Sequence, residues 1–155
     1  MNHGAAQFLL ASRWAPLGLA FLLLPAGCGK FQQARECGSF VKTVNAWLTR
    51  SSASVDAGSA APSNPKQIAE ESRRTAQNYE DLSKSLAALH VQSEDLAPRV
   101  QRYEDIADAA TRTLREVADA IDRGDLEKAR QKRVEFDTVA QREPALVKEI
   151  NGLCR

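Results

Sequence analysis

"LHVQSEDLAP", residues 89–98, decides whether the middle of this chain is one very long helix or two helices folded back on each other. On its amino side, Ile68, Ser72, Thr75, Tyr79, Leu82, Leu86 and Leu89 step alternately by four and three. On its carboxyl side, Leu96, Val100, Tyr103, Ala107, Ala110, Leu114, Val117 and Ile121 keep the same rhythm. Together they form a heptad seam, with charged residues at most other positions. Counted through Ser93 the rhythm never breaks, so periodicity alone permits a single helix from 68 to 121. Pro98 argues for a turn: in a helix interior it costs about 3 kcal/mol, and in the first turn of a new helix very little. Ser93 and Asp95 are good N-caps, and Glu94 suits the positive end of a helix dipole. The reading is a hairpin. Folding the seam between Glu94 and Asp95 sets Ile68 against Ile121, Tyr79 against Ala110, Leu82 against Ala107 and Leu86 against Tyr103. A regular heptad always reflects onto itself, so only the meeting of large residues with small ones is informative, and it suits interdigitated packing.

The flanks extend this pattern. Upstream of the hairpin, "SSASVDAGSAAPSNP", residues 51–65, offers almost nothing to bury and reads as a linker. Its last two residues, Asn64 and Pro65, are an N-cap and a first-position proline. Before the linker, Cys37, Phe40, Val41, Val44, Trp47 and Leu48 recur at helical steps, which predicts a helix from Phe31 to about Arg50. After the hairpin, Gly124 stands where a C′ glycine ends a helix, and Asp125 can cap a final one. That helix carries Leu126, Ala129, Phe136, Ala140, Val147, Ile150 and Cys154 on one side, and Pro144 predicts a kink or break near Glu143. The fold class expected is an all-α, up-and-down four-helix bundle with coiled-coil-like heptad packing.

Residues 1–27 read as a cleaved targeting segment: Arg13 is its positive region, and Trp14 to Leu24 is an apolar run too short to span a membrane. In "LLLPAGCGKF", residues 22–31, the small pair Ala26-Gly27 directly precedes Cys28. This arrangement resembles the lipobox of bacterial lipoproteins, although Pro25 stands where that family usually has Leu. The resemblance covers residues 1–29 only. It implies a domain of residues 28–155 with Cys28 carrying a diacylglyceryl group and an acylated amine. The alternative is an ordinary secretory signal with Cys28 free or paired. With Cys28 lipidated, Cys37 and Cys154 remain as a pair in a compartment that permits disulfides. Four helices return the chain to the end where it began and bring these two together. A single helix through residue 93 would leave three helices and hold the two cysteines at opposite ends.

Removing the leader leaves 20 basic against 20 acidic residues, and no basic stripe for nucleic acid or acidic lipid stands out in that balance. Candidates for chemistry are few. His90 is the one histidine after the leader and sits at the expected turn, whereas zinc sites need three or four clustered ligands. No haem-attachment, di-iron or phosphate-loop motif is present, and no cofactor is expected. Ser72, Thr75 and Tyr79 lie together on the seam and could line a small pocket inside the bundle. Asp108–Arg112 and Asp119–Arg123 are spaced for i, i+4 pairs on a solvated face. The expectation is a non-enzymatic envelope lipoprotein with a structural or protein-binding role, its alternative a bundle that binds a small ligand. It would be held on the membrane by its lipid, and the outer membrane is favoured because Gly29 is no acidic retention signal. With only Gly29 and Lys30 before the first helix, the bundle is expected to stand upright on the membrane.

Overall fold

A computed structural model describes residues 26–56 and 64–155, with side chains for 29–51 and 64–155. The leader and the middle of the linker lie outside the described residues. Among the described residues five helices follow in order: α1 (Ala26–Asp56), α2 (Pro65–Ala87), α3 (Ala97–Asp122), α4 (Leu126–Ala140) and α5 (Glu143–Leu153). The last two form one interrupted rod, so the architecture is the four-helix, all-α bundle. Helix α3 packs along α2 and α4 and more lightly on α5, while α1 packs on α2.

The seam turns back where Pro98 requires it, in the first turn of α3. The turn is closed differently from the expectation. Neither Ser93 nor Asp95 caps α3 with its side chain; Leu96 holds the N-cap position and is fully buried. The Ser93 carbonyl accepts from the N–H groups of Leu96 (3.1 Å) and Ala97 (2.8 Å), so main chain does the capping. Leu96 belongs to the hydrophobic core and so ties the turn to it.

Small residues set the distance between α2 and α3. Ala69, Ser72 and Ala76 of α2 are buried, as are Ala107, Ala110 and Thr111 of α3. The Thr111 hydroxyl lies within hydrogen-bonding reach of two carbonyls, Ala107 of its own helix (2.9 Å) and Ala76 of α2 (3.3 Å). Two ion pairs, Arg73–Asp122 and Glu80–Arg115, cross this interface one heptad apart. The intrahelical pairs Asp108–Arg112 and Asp119–Arg123 are not among the ion pairs of the described residues; charges on α3 reach to α2, α4 and α5 instead. Ile68 and Ile121 do come together, lining one cleft, although Ile68 stays 38% exposed.

An aromatic layer joins the four rods. Trp47 of α1 and Phe136 of α4 lie on either side of Tyr79 of α2, with ring centroids at 5.4 and 6.1 Å. Phe40 of α1 meets Tyr103 of α3 edge-on at 5.8 Å. The Trp47 indole N–H donates to the Asn78 carbonyl at 2.9 Å, which satisfies the polar edge of a buried ring. The Tyr103 hydroxyl donates to the Glu143 carboxylate at the start of α5.

The starts of α2 and α4 and the end of α3 follow the local signals. The Asn64 side chain accepts from the Gln67 N–H at 3.0 Å, and that of Asp125 accepts from the Lys128 N–H at 3.0 Å. Gly124 has φ +75°, and the N–H groups of Gly124 and Asp125 return to the carbonyls of Ile121 and Ala120. That is the Schellman closure. A Cβ at residue 124 would meet no atom within 4 Å, so Gly124→Ala carries backbone strain alone. It should lower stability by about 1 kcal/mol in a denaturant titration. The fourth rod breaks at Gln141–Arg142, just before Pro144. Helix α1 is longer than its apolar pattern, because Ser51 to Asp56 hold no proline or glycine and each further residue adds a hydrogen bond to an existing helix.

Candidate functional site

One end of the bundle gathers the start of α1, the α2–α3 turn and the chain terminus. The Cys37 and Cys154 sulfurs are bonded there, with Cα atoms 5.6 Å apart across 117 residues of sequence. This is the pairing that the helix count requires, and it excludes one unbroken helix through residue 93. Beside it, the Gln33 side-chain amide reaches the Leu153 carbonyl at 3.5 Å. Cys28 belongs to α1 itself, three residues before Phe31, rather than to a spacer ahead of the helix. Its side chain lies outside the described residues.

Glu36 organises this end. Its carboxylate accepts from the Gln92 N–H at 3.1 Å, the Ser93 N–H at 2.9 Å and the Gln32 side-chain amide at 2.9 Å. The two backbone groups belong to the turn, and α1 supplies the cap that the turn's own side chains do not. Burial pushes the Glu36 carboxyl up, but the hydrogen bonds from Gln32, Ser93 and Gln92 outweigh it and hold the group below its ordinary value. A carboxyl lowered in the folded chain contributes stability above its unfolded pKa, and loses that contribution as pH falls through the folded value. Glu36→Ala should therefore cost about 1–2 kcal/mol at neutral pH, discounted for partial exposure, and less in acid. Denaturation of both proteins at pH 7 and in strong acid checks this, and faster amide exchange at Gln92 and Ser93 would locate the loss.

A cleft of about 690 Å³ opens between α1 and the turn, lined by Phe31, Gln32, Arg35, Glu36, Ser39, Leu89, Val91 and Gln92. A second, of about 380 Å³, lies at the opposite end and is lined mainly by apolar side chains, among them Pro65, Ile68, Ile121 and Leu126. Neither is lined by Ser72, Thr75 or Tyr79. Ser72 is buried in the α2–α3 seam, and Thr75 and Tyr79 are half-buried beside it. Burial, followed by the charge of Glu143, raises the Tyr79 phenol to about 12. His90 is exposed, with φ +47°, just beyond the end of α2. Among the described residues no group of three or more metal-ligating side chains assembles, and no helix is long and apolar enough to cross a membrane.

Sequence reasoning missed Glu36, because its partners lie 56 and 57 residues away and nothing local marks it. It also misassigned Val41 and Leu48: the buried stripe of α1 is Cys37, Phe40 and Trp47 with Val44 partly covered, while Val41 (38%) and Leu48 (50%) stay exposed. Compared with known protein families, curated proteins and solved structures, the chain matches none.

Proposed function

We propose that this chain is a lipid-anchored, non-enzymatic lipoprotein of the bacterial cell envelope, with a structural or protein-binding role. One observation carries the reading. The chain has three cysteines, and two of them are bonded to each other. Cys28 is thereby left without a partner in the chain, directly after the small pair Ala26-Gly27 that precedes a modified cysteine in lipoproteins. A tether there enters a helix whose lower end is stapled to the chain terminus, so anchor and bundle move together. Several acyl chains hold a protein stably where one holds it only marginally, each buried methylene contributing about 0.8 kcal/mol.

The protein-binding role draws on exposed helix faces rather than on a reactive centre. In cells, a fatty-acid analogue should label the protein and Cys28→Ser should lose both the label and the membrane-bound fraction. Label that persists in the variant would place the lipid elsewhere. Density-gradient fractionation then assigns the inner or outer membrane, and crosslinking in intact cells identifies the partner.

A further inference from the structure

Helix α1 differs from the rest of the molecule in how it carries charge. Between Gly29 and Ser51 it holds four cations, Lys30, Arg35, Lys42 and Arg50, and a single anion, Glu36. Glu36 is turned onto the α2–α3 turn, so it does not offset them on the outer side. All four cations are exposed, and among the described residues none has a carboxylate within ion-pairing distance. Elsewhere basic residues are interleaved with acidic ones, and several cross to a neighbouring helix, as Arg73, Arg102, Arg115 and Lys132 do.

At 100° per residue Phe31 (70% exposed) shares the outward arc of α1 with Arg35 and Lys42, while Val41 (38%) and Leu48 (50%) stand with Lys30 along one edge of that arc and Arg50 along the other. Ala34, Gly38, Asn45 and Ala46, between them, are exposed and small or uncharged. A helix face that mixes unpaired cations with large apolar side chains matches the boundary between headgroups and acyl chains. It suits an acidic protein surface less well, because Phe31 stands only three residues beyond Cys28, at the depth where aromatic side chains settle.

We propose that the outward face of α1, from Lys30 to Arg50, lies along an anionic lipid surface, so that the bundle reclines on the membrane rather than standing upright. The proposal rests on the lipid-anchored reading of Cys28, which keeps the first turn of α1 at the surface. The contact would run about 30 Å along the helix. Each cation close to an anionic leaflet should raise partitioning about fivefold, and added salt should weaken it.

The test uses the lipoprotein purified from cells and reconstituted in vesicles, with a polarity-sensitive fluorophore on Leu48→Cys or, on the outer side of α3, on Arg112→Cys. Flotation with phosphatidylcholine vesicles reads the anchor alone. With vesicles of about one part phosphatidylglycerol to two parts phosphatidylcholine, the label at 48 should shift to the blue and the label at 112 should not. The shift should shrink severalfold in salt or when Arg35→Glu and Lys42→Glu are added. These variants change exposed side chains, and an unchanged melting curve verifies that they fold. Failure to float on phosphatidylcholine overturns the anchor and the proposal with it. Floating protein whose label at 48 does not shift, or shifts equally with the label at 112, overturns the proposal and leaves the anchor standing. A shift at 48 that needs added envelope protein assigns the face to a protein and equally overturns it.

Discussion

Replacing Cys37 and Cys154 together by alanine should lower the stability of the bundle by up to about 4–5 kcal/mol, the largest change expected of any variant here. In the chain-entropy view, the gain from a crosslink grows with the loop it closes. This one joins residues 117 apart, so it constrains nearly the whole unfolded domain. Its place in the fold adds a second consequence. Helix α1 packs on α2 far less extensively than α3 does, and otherwise relies on the stripe of Phe40, Val44 and Trp47. Without the bond, α1 should be the first helix to fray, and its amides should exchange ahead of those of α2 and α3. Thermal melts with and without reductant, followed by amide exchange, check both statements. Equal melting temperatures would mean that the other helices hold α1 unaided.

Tyr103→Ala should cost about 3–5 kcal/mol, because it empties a site that is 1% exposed where α1, α3 and α5 meet. Tyr103→Phe separates the two contributions of this residue. It keeps the ring against Phe40 and removes only the donor to Glu143, so it should cost about 1–2 kcal/mol, and a double-mutant cycle with Glu143→Gln should show the pair to be coupled. The phenols also predict an alkaline limb. Burial, then the hydrogen bond and charge of Glu143, hold the Tyr103 hydroxyl well above its ordinary value, and Tyr79 is raised to about 12. Groups raised in the folded chain contribute stability that is complete below the unfolded pKa of about 10 and is lost as pH rises through the folded values. Denaturant titrations between about pH 8 and 11 should show stability falling above 10, less steeply in Tyr103→Phe.

Some of this fold is written locally and some is not. Asn64-Pro65, Pro98, Gly124-Asp125 and Pro144 each restrict the backbone by themselves, so helix starts and stops near them are legible without a structure. The hairpin is legible because a proline cannot sit in mid-helix, not because of the heptad, which both topologies satisfy. Side-chain roles that depend on another helix are a different matter. Leu96 becomes the start of α3 because it is buried, and Glu36 caps a turn 56 residues away. Val41 and Leu48 follow Phe40 and Trp47 by one residue each, and 100° of rotation carries them out of the core. The end of α1 escaped detection because serine and alanine propagate a helix without an apolar pattern. At the candidate site the cysteines were legible by counting. The unpaired basic face of α1 was not, since an even overall charge hides where the partners of each cation lie.

The most direct measurement is the mass of the amino-terminal peptide of the protein extracted from bacterial membranes. The lipid-anchored reading predicts a peptide that begins at Cys28 and carries the mass of a glyceryl lipid and an amide-linked acyl chain. A peptide that begins upstream of Cys28, or at Cys28 with no added mass, would contradict it.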